Sequence, residues 1–243
     1  MKKKYFLFLF LPFLFNAQIL DKYPYKKDFY QGGISKLYSD IHQIILDKKI
    51  EKCANPKEIY QLKLLLTKEG TIKLVKDFDT ANIAANQCAY NLSRTLAINL
   101  KDKKWNPAVV KNQKFASIVE LIIFPDDLFD NFRRGYKPYQ FYTPAKFKGG
   151  EEKGSQEFHD TFQSLFVDYD LTGRFYLDFY IDKDGEIVSP SLQPEVANQN
   201  FKNEVFRTLK RLNHKWIPAT FQGVPIKSKI SIPLGFSTTY YEK

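Results

Sequence analysis

The chain has 243 residues, 44% hydrophobic and 26% charged, an ordinary globular balance with room for one or two domains. Collagen-like, low-complexity and multi-span membrane readings are excluded by that composition. Its 37 basic and 27 acidic residues leave +10, which invites nucleic acid or an anionic membrane as partner, while three histidines, two cysteines and one methionine leave little for a metal centre or a Met-rich groove.

The first element is a targeting segment. Lys2, Lys3 and Lys4 precede an apolar run from Tyr5 to Phe15, after which Asn16-Ala17-Gln18 turns polar. That order is a secretory signal peptide over residues 1–17, cleaved after Ala17. The run is far short of the ~20 residues a membrane-spanning helix needs, so no stable span is expected. No Cys follows it to carry a lipid. Export alters the meaning of the charge, because a periplasmic or secreted protein rarely meets nucleic acid. Nor is the charge concentrated: residues 18–130 hold 18 basic against 14 acidic residues, and residues 131–243 hold 16 against 13. It reads as solvated surface.

The rest of the chain is an internal duplication. Phe29-Tyr30-Gln31-Gly32-Gly33 and Lys146-Phe147-Lys148-Gly149-Gly150 each open a helical stripe: Ile34, Leu37, Ile41, Ile44 and Ile45 in the first, Phe158, Phe162, Leu165 and Phe166 in the second. His42 and His159 fall at matching places. Strict alternation follows, Tyr60, Leu62, Leu64 and Leu66 against Phe175, Leu177, Phe179 and Ile181, each ending in a glycine turn (Thr67–Gly70, Asp182–Gly185) that predicts a hairpin. A second helix carries Cys88, Leu92 and Leu96 in one copy and Phe201, Val205 and Leu209 in the other, with Arg94-Thr95-Leu96 repeated as Arg207-Thr208-Leu209. Each helix runs into Lys-Trp-x-Pro-Ala, beginning at Lys104 and Lys215, where proline turns the chain into a last strand, 115–124 or 226–236. The predicted class is α+β: two tandem small domains, each a three-stranded antiparallel sheet with two helices on one face. Residues 18–128 form the first, 129–144 a linker, and 145–243 the second.

Pro144, Phe147, Gly149-Gly150, the Asp182–Ile187 turn, the helix from Phe201 to Arg207, and Lys215-Trp216-Ile217-Pro218-Ala219 through Pro233 and Phe236 together resemble the TonB C-terminal domain. The resemblance covers about 145–237, with the first copy a degenerate version. It implies a small α+β domain that binds proteins in the periplasm, pairing its last strand with a peptide segment of outer-membrane receptors. An energy-transducing TonB also has a membrane anchor and a long Pro-rich spacer, which are not read in this chain. The fold and binding mode are carried over; transduction is not.

In the second copy's last strand, Ile226, Ser228, Ile230, Ile232, Leu234 and Phe236 share one face and Lys227, Lys229, Ser231 and Pro233 the other. Lys and Pro blunt an exposed edge, so this is an expected edge strand, and an unpaired edge is where a peptide adds. The candidate contact residues are Lys229, Ile230, Ser231 and Ile232, with Trp216, Tyr176 and Tyr180; a tryptophan at a helix exit such as Trp216 is more often core or hinge packing, and the tyrosines have the alternative reading of ordinary strand residues on the outer face. The first copy's last strand is apolar on both faces except Glu120, so it is expected to be covered by the second copy or by a partner strand. No catalytic motif, cofactor or metal site is read: Asp182 and Asp184 make a turn, and His42, His159 and His214 lack ligand spacing. Cys53 and Cys88 are open to two readings, a disulfide in an oxidising compartment or, for Cys88, a small hydrophobe on the buried stripe. The expectation is an exported, non-enzymatic binding module for protein or peptide. The alternative is a structural or cell-wall-binding protein, or an unrecognised hydrolase.

Overall fold

The computed structural model describes residues 19–168, 173–213 and 215–236. The expected signal peptide and His214 lie outside these. The described chain enters as a two-residue strand, β1 (Ile19–Leu20), and reaches α1 (Gly33–Asp47), where Leu37, Ile41, Ile44 and Ile45 of the predicted stripe are buried together with Tyr38, and Ile34 is half-buried. The hairpin follows as β2 (Tyr60–Leu66) and β3 (Ile72–Leu74), then α2 (Thr80–Ala85), α3 (Gln87–Asn99), β4 (Ala108–Val110), β5 (Gln113–Ile123) and the short α4 (Pro125–Leu128). After a 3-10 turn at Pro138–Phe141 come β6 (Tyr142–Thr143), β7 (Lys146–Phe147), α5 (Glu151–Asp168), β8 (Gly173–Ile181), β9 (Ile187–Gln193) and α6 (Gln199–Lys210). The last elements are β10 (Trp216–Ile217), β11 (Ala219–Phe221), β12 (Val224–Ile226) and β13 (Ser228–Phe236). The class is α+β, as the alternation of helical and period-two segments predicted, and the chain divides into two units, Met1–Lys137 and Pro138–Lys243.

In the first unit the sheet order is β1-β5-β2-β3, with β4 folded against the start of β5. Period-two alternation fixes the register: Tyr60, Leu62, Leu64 and Leu66 are buried on the same face as Val119, Leu121 and Ile123 across the strand. The other face of β5 is not fully covered. Ile118 and Ile122 are half-buried, and Glu120 is exposed, accepting a hydrogen bond from Gln61 Nε2 at 3.0 Å. The expected three-stranded antiparallel sheet is therefore extended here, because β1 adds in parallel to the outer edge of β5, Ile19 opposite Ala116 and Leu20 opposite Ser117.

The second unit holds the expected three strands, in the order β13-β8-β9 and all antiparallel, beside two small pairings, β12-β11-β6 and β10-β7. Its core gathers Phe162 from α5, Phe201, Val205 and Leu209 from α6, and Leu177, Phe179, Ile181, Leu192 and Leu234 from the sheet. Each such side chain stabilises the fold by ~1.5–3 kcal/mol on burial. Leu165 and Phe166 belong to α5, but their side chains lie outside the described residues.

The matching sequence segments make matching contacts. Gln31 N donates to Lys104 O at 3.0 Å, and Lys148 N to Lys215 O at 2.6 Å. Gly33 N donates to Tyr30 O at 2.9 Å, and Gly150 N to Phe147 O at 3.0 Å. Trp105 meets Tyr30 edge-on, and Trp216 meets Phe147 in the same way. Gly70 and Gly185 have φ of +79° and +85°, and a Cβ there would sit 2.9 Å from Trp105 O and 2.7 Å from Trp216 O, so both turns require glycine. Ser117 within β5 and Ser228 at the start of β13 hold equivalent places, and among the described residues neither buried hydroxyl has a hydrogen-bond partner.

Two readings need correction. Lys-Trp-x-Pro-Ala does not lead directly into the last strand; a tight hairpin intervenes in both units, with positive φ at Lys111 and Asn112 in the first and at Gln222 and Gly223 in the second. Consequently Ile226 ends β12 and the last strand is β13 alone, while β5 in the first unit is preceded by β4. Within 129–144, expected as a linker, Tyr136 is buried on the first unit, its ring 5.2 Å from that of Tyr38 and its hydroxyl donating to Asp127 Oδ2 at 2.8 Å. Burial, with the Asp127 carboxylate, holds that hydroxyl protonated well above the usual tyrosine range. Farther on, β6 pairs with β11 and so belongs to the second unit.

Candidate functional site

β13 lies at the edge of its sheet and pairs with β8 from Ser228↔Ile181 to Phe236↔Gly173. This register sorts the candidate residues onto two faces. Ile230 and Ile232 stand opposite Phe179 and Leu177 and pack against the core, half-buried. Lys229, Ser231 and Pro233 face the other way, directly opposite Tyr180, Asp178 and Tyr176.

Asp178 is the residue that organises this outer face. It is only 6% exposed, and both carboxylate oxygens are engaged: Lys229 Nζ stands 2.8 Å from Oδ2, and Ser231 Oγ donates to Oδ1 at 2.6 Å. A buried carboxylate needs such partners, since an uncompensated buried charge costs several kcal/mol. A slip of one residue would turn Lys229 and Ser231 to the other face, so the cluster locks β13 to β8 in a single register. Its residue type was visible as a lone acid between Leu177 and Phe179, on the same period-two face as Tyr176 and Tyr180. What the sequence lacked was the register that sets it opposite Ser231.

Tyr176 is 45% exposed, while Tyr180 is half-buried with Lys227 Nζ 5.2 Å from its ring centre. Trp216 does not join them. It lies in β10, 5.3 Å from the Phe147 ring and 5.7 Å from the Phe179 ring, where it packs the core.

The direction of the backbone groups follows from Pro233. A proline in an edge strand sits with its nitrogen toward the open side, because it has no N–H to give to the ladder. Backbone groups of an antiparallel pair alternate between the two sides, so the Ser231 N–H points to the open edge and those of Ile230 and Ile232 to β8. The first unit agrees with this parity. Ile122 holds the place of Pro233, and its carbonyl accepts the Tyr38 hydroxyl at 2.8 Å. There the edge of β5 is engaged by Tyr38 and by β1; in the second unit the place of Tyr38 on the helix is taken by Ser155, which is exposed.

Other predicted groups have structural partners. Asp182 Oδ1 accepts the amides of Asp184 (3.0 Å) and Glu186 (2.9 Å), an Asx-type turn. His42 Nδ1 is 2.8 Å from Leu128 O, with its ring stacked on Phe132. His159 is exposed beside Asp160. Cys53 and Cys88 are joined in a disulfide, Cα–Cα 5.8 Å, with Glu58 nearby and its Oε2 accepting the Ala89 amide at 2.9 Å. The sulfurs are bonded to each other, which removes them as metal ligands. Among the described residues no helix is long and apolar enough to cross a membrane. No protein-family model, characterised protein or solved structure matches the chain.

Proposed function

We propose that the chain is an exported, non-enzymatic binding module of the cell envelope, built from two tandem TonB C-terminal-like domains, that recognises a protein segment by adding it as a strand to the open edge of β13. The segment belongs to a protein at the outer membrane, such as a receptor, in the periplasm. The reading needs no cofactor and no nucleic acid. The observation that carries it is the contrast between the two edges: β5 accepts Ile19–Leu20 as an extra strand and the Tyr38 hydroxyl, whereas among the described residues the outer edge of β13 meets neither device. An edge of that kind binds through main-chain hydrogen bonds and takes specificity from side-chain contacts. Tyr176, Lys229 and the locked outer face supply those contacts. The Lys2–Lys4 and Tyr5–Phe15 pattern supports export, and the Cys53–Cys88 disulfide suits an oxidising compartment.

The test uses immobilised full-length chain and an outer-membrane extract, with Ser231→Pro and Ser231→Ala beside wild type. Ser231→Pro removes the outward N–H without touching the ladder to β8, and Ser231→Ala controls for the lost bond to Asp178. Retention by wild type and Ser231→Ala, with at least tenfold less on Ser231→Pro, is expected. Equal retention by all three, or sedimentation with purified peptidoglycan in place of any retained protein, contradicts the reading and favours a cell-wall role.

A further inference from the structure

The first unit carries an exposed feature that its own fold does not require. β3 is the other edge of its sheet, and between it and α3 lies an open groove of about 240 Å³ lined by Ile72, Lys73, Leu74, Arg94, Ile98 and Lys101. Leu74 is 44% exposed and Ile98 61% exposed. Arg94, Ile98 and Lys101 recur at i, i+4 and i+7, a second stripe beside the buried one of Ala89, Leu92, Ser93, Leu96 and Ala97. The duplicate unit provides the comparison. Counting from the shared turn glycine and the shared Arg-Thr-Leu, Leu74 corresponds to Ser189 and Ile98 to Arg211. The corresponding places there carry polar residues, Ser189 at the bulge of β9 and Arg211 at the C-terminal cap of α6, so the apolar lips of the groove are particular to the first unit.

We propose that this groove is a second peptide-binding site, whose occupant is an extended acidic segment with an apolar side chain between its acids. The volume decides against a small-molecule ligand: sites for drug-sized ligands run to roughly 300–1,000 Å³ and enclose their occupant, whereas this gap takes one or two side chains. The charge decides the sign. Lys73, Arg94 and Lys101 are all exposed around the apolar gap. Glu69, in the turn before β3, has its carboxylate held below the usual range first by the Thr67 hydroxyl, with Lys73 a lesser contributor. These three exposed cations favour acidic side chains on either side of an apolar residue seated between Leu74 and Ile98. The edge of β3 provides main-chain hydrogen bonds to the same segment.

The site is separate from β13, and the test separates them. A random hexapeptide library displayed on phage is selected on the immobilised full chain, and enriched peptides are measured against wild type, Ile98→Glu, Leu74→Glu and Ser231→Pro. Enrichment of peptides carrying acids around an apolar residue is expected, with binding weakened at least tenfold by Ile98→Glu and by Leu74→Glu, weakened by added salt, and unchanged by Ser231→Pro. Both groove positions are exposed, and unchanged thermal melting of the variants shows that the loss is local. Failure to enrich such peptides, or equal binding to Ile98→Glu and wild type, overturns the proposal. A concentration-dependent dimer in sedimentation that Ile98→Glu abolishes also overturns it, by making a second copy the occupant.

Discussion

Replacing Cys53 and Cys88 together by alanine lowers the stability of the first unit by about 3–4 kcal/mol and leaves the second unit unchanged. The bond closes a loop between residues 35 apart, and its absence restores that freedom to the unfolded chain. It also joins Cys53, which precedes β2, to the first turn of α3, so the helix loses its tie to the sheet. For a unit of this size the loss is roughly 10–20 °C in melting temperature. Calorimetry with and without reductant measures it: wild type under reducing conditions should melt with the double variant. A shift of less than about 1 kcal/mol would show that the bridge forms without stabilising the fold.

The corresponding place in the second unit is filled by an aromatic ring, and its removal should be as costly. Phe201 is fully buried among Phe162, Leu177, Phe179 and Val205, so Phe201→Ala destabilises that unit by about 3–5 kcal/mol through lost burial and an unfilled cavity. The second unit's transition should move and the first unit's should not, because multi-domain chains unfold in separable steps. The two predictions form a pair. Cys88 and Phe201 occupy one position of the shared helix stripe, and each anchors it to its sheet, by a covalent bond in one unit and by packing in the other. A Phe201→Ala variant that melts within about 1 kcal/mol of wild type would contradict the assignment of that position to the core.

Much of this was legible in the residues. Period two placed Tyr60, Leu62, Leu64 and Leu66, and Leu177, Phe179 and Ile181, on buried faces; period 3.6 placed Leu37, Ile41 and Ile45. The edge position of β13 was announced by Lys229 and Pro233, which a central strand does not tolerate in that combination. What was not legible depended on register and on short-range turns. Asp178 acquires its meaning only opposite Ser231, and no local pattern states which residues of two strands face each other. The hairpins at Lys111-Asn112 and Gln222-Gly223 were hidden because the surrounding alternation continues through them, although Asn and Gly at those places are the residues such turns use. The addition of Ile19–Leu20 to β5 came from a segment too short to show periodicity. Trp216, read both as a contact residue and as core, is core because β10 sets it between Phe147 and Phe179.

The central claim is that the backbone of β13 has an open side that a partner segment fills, and residue-resolved amide hydrogen exchange tests it most directly. In the free chain the Ser231 amide should exchange rapidly while the Ile230 and Ile232 amides, bonded to β8, are protected. Adding the outer-membrane partner that the Ser231→Ala chain retains should slow Ser231 exchange at least tenfold and leave its two neighbours as they were. Protection of Ser231 in the free chain, or an unchanged Ser231 rate with the partner bound, would contradict strand addition at this edge.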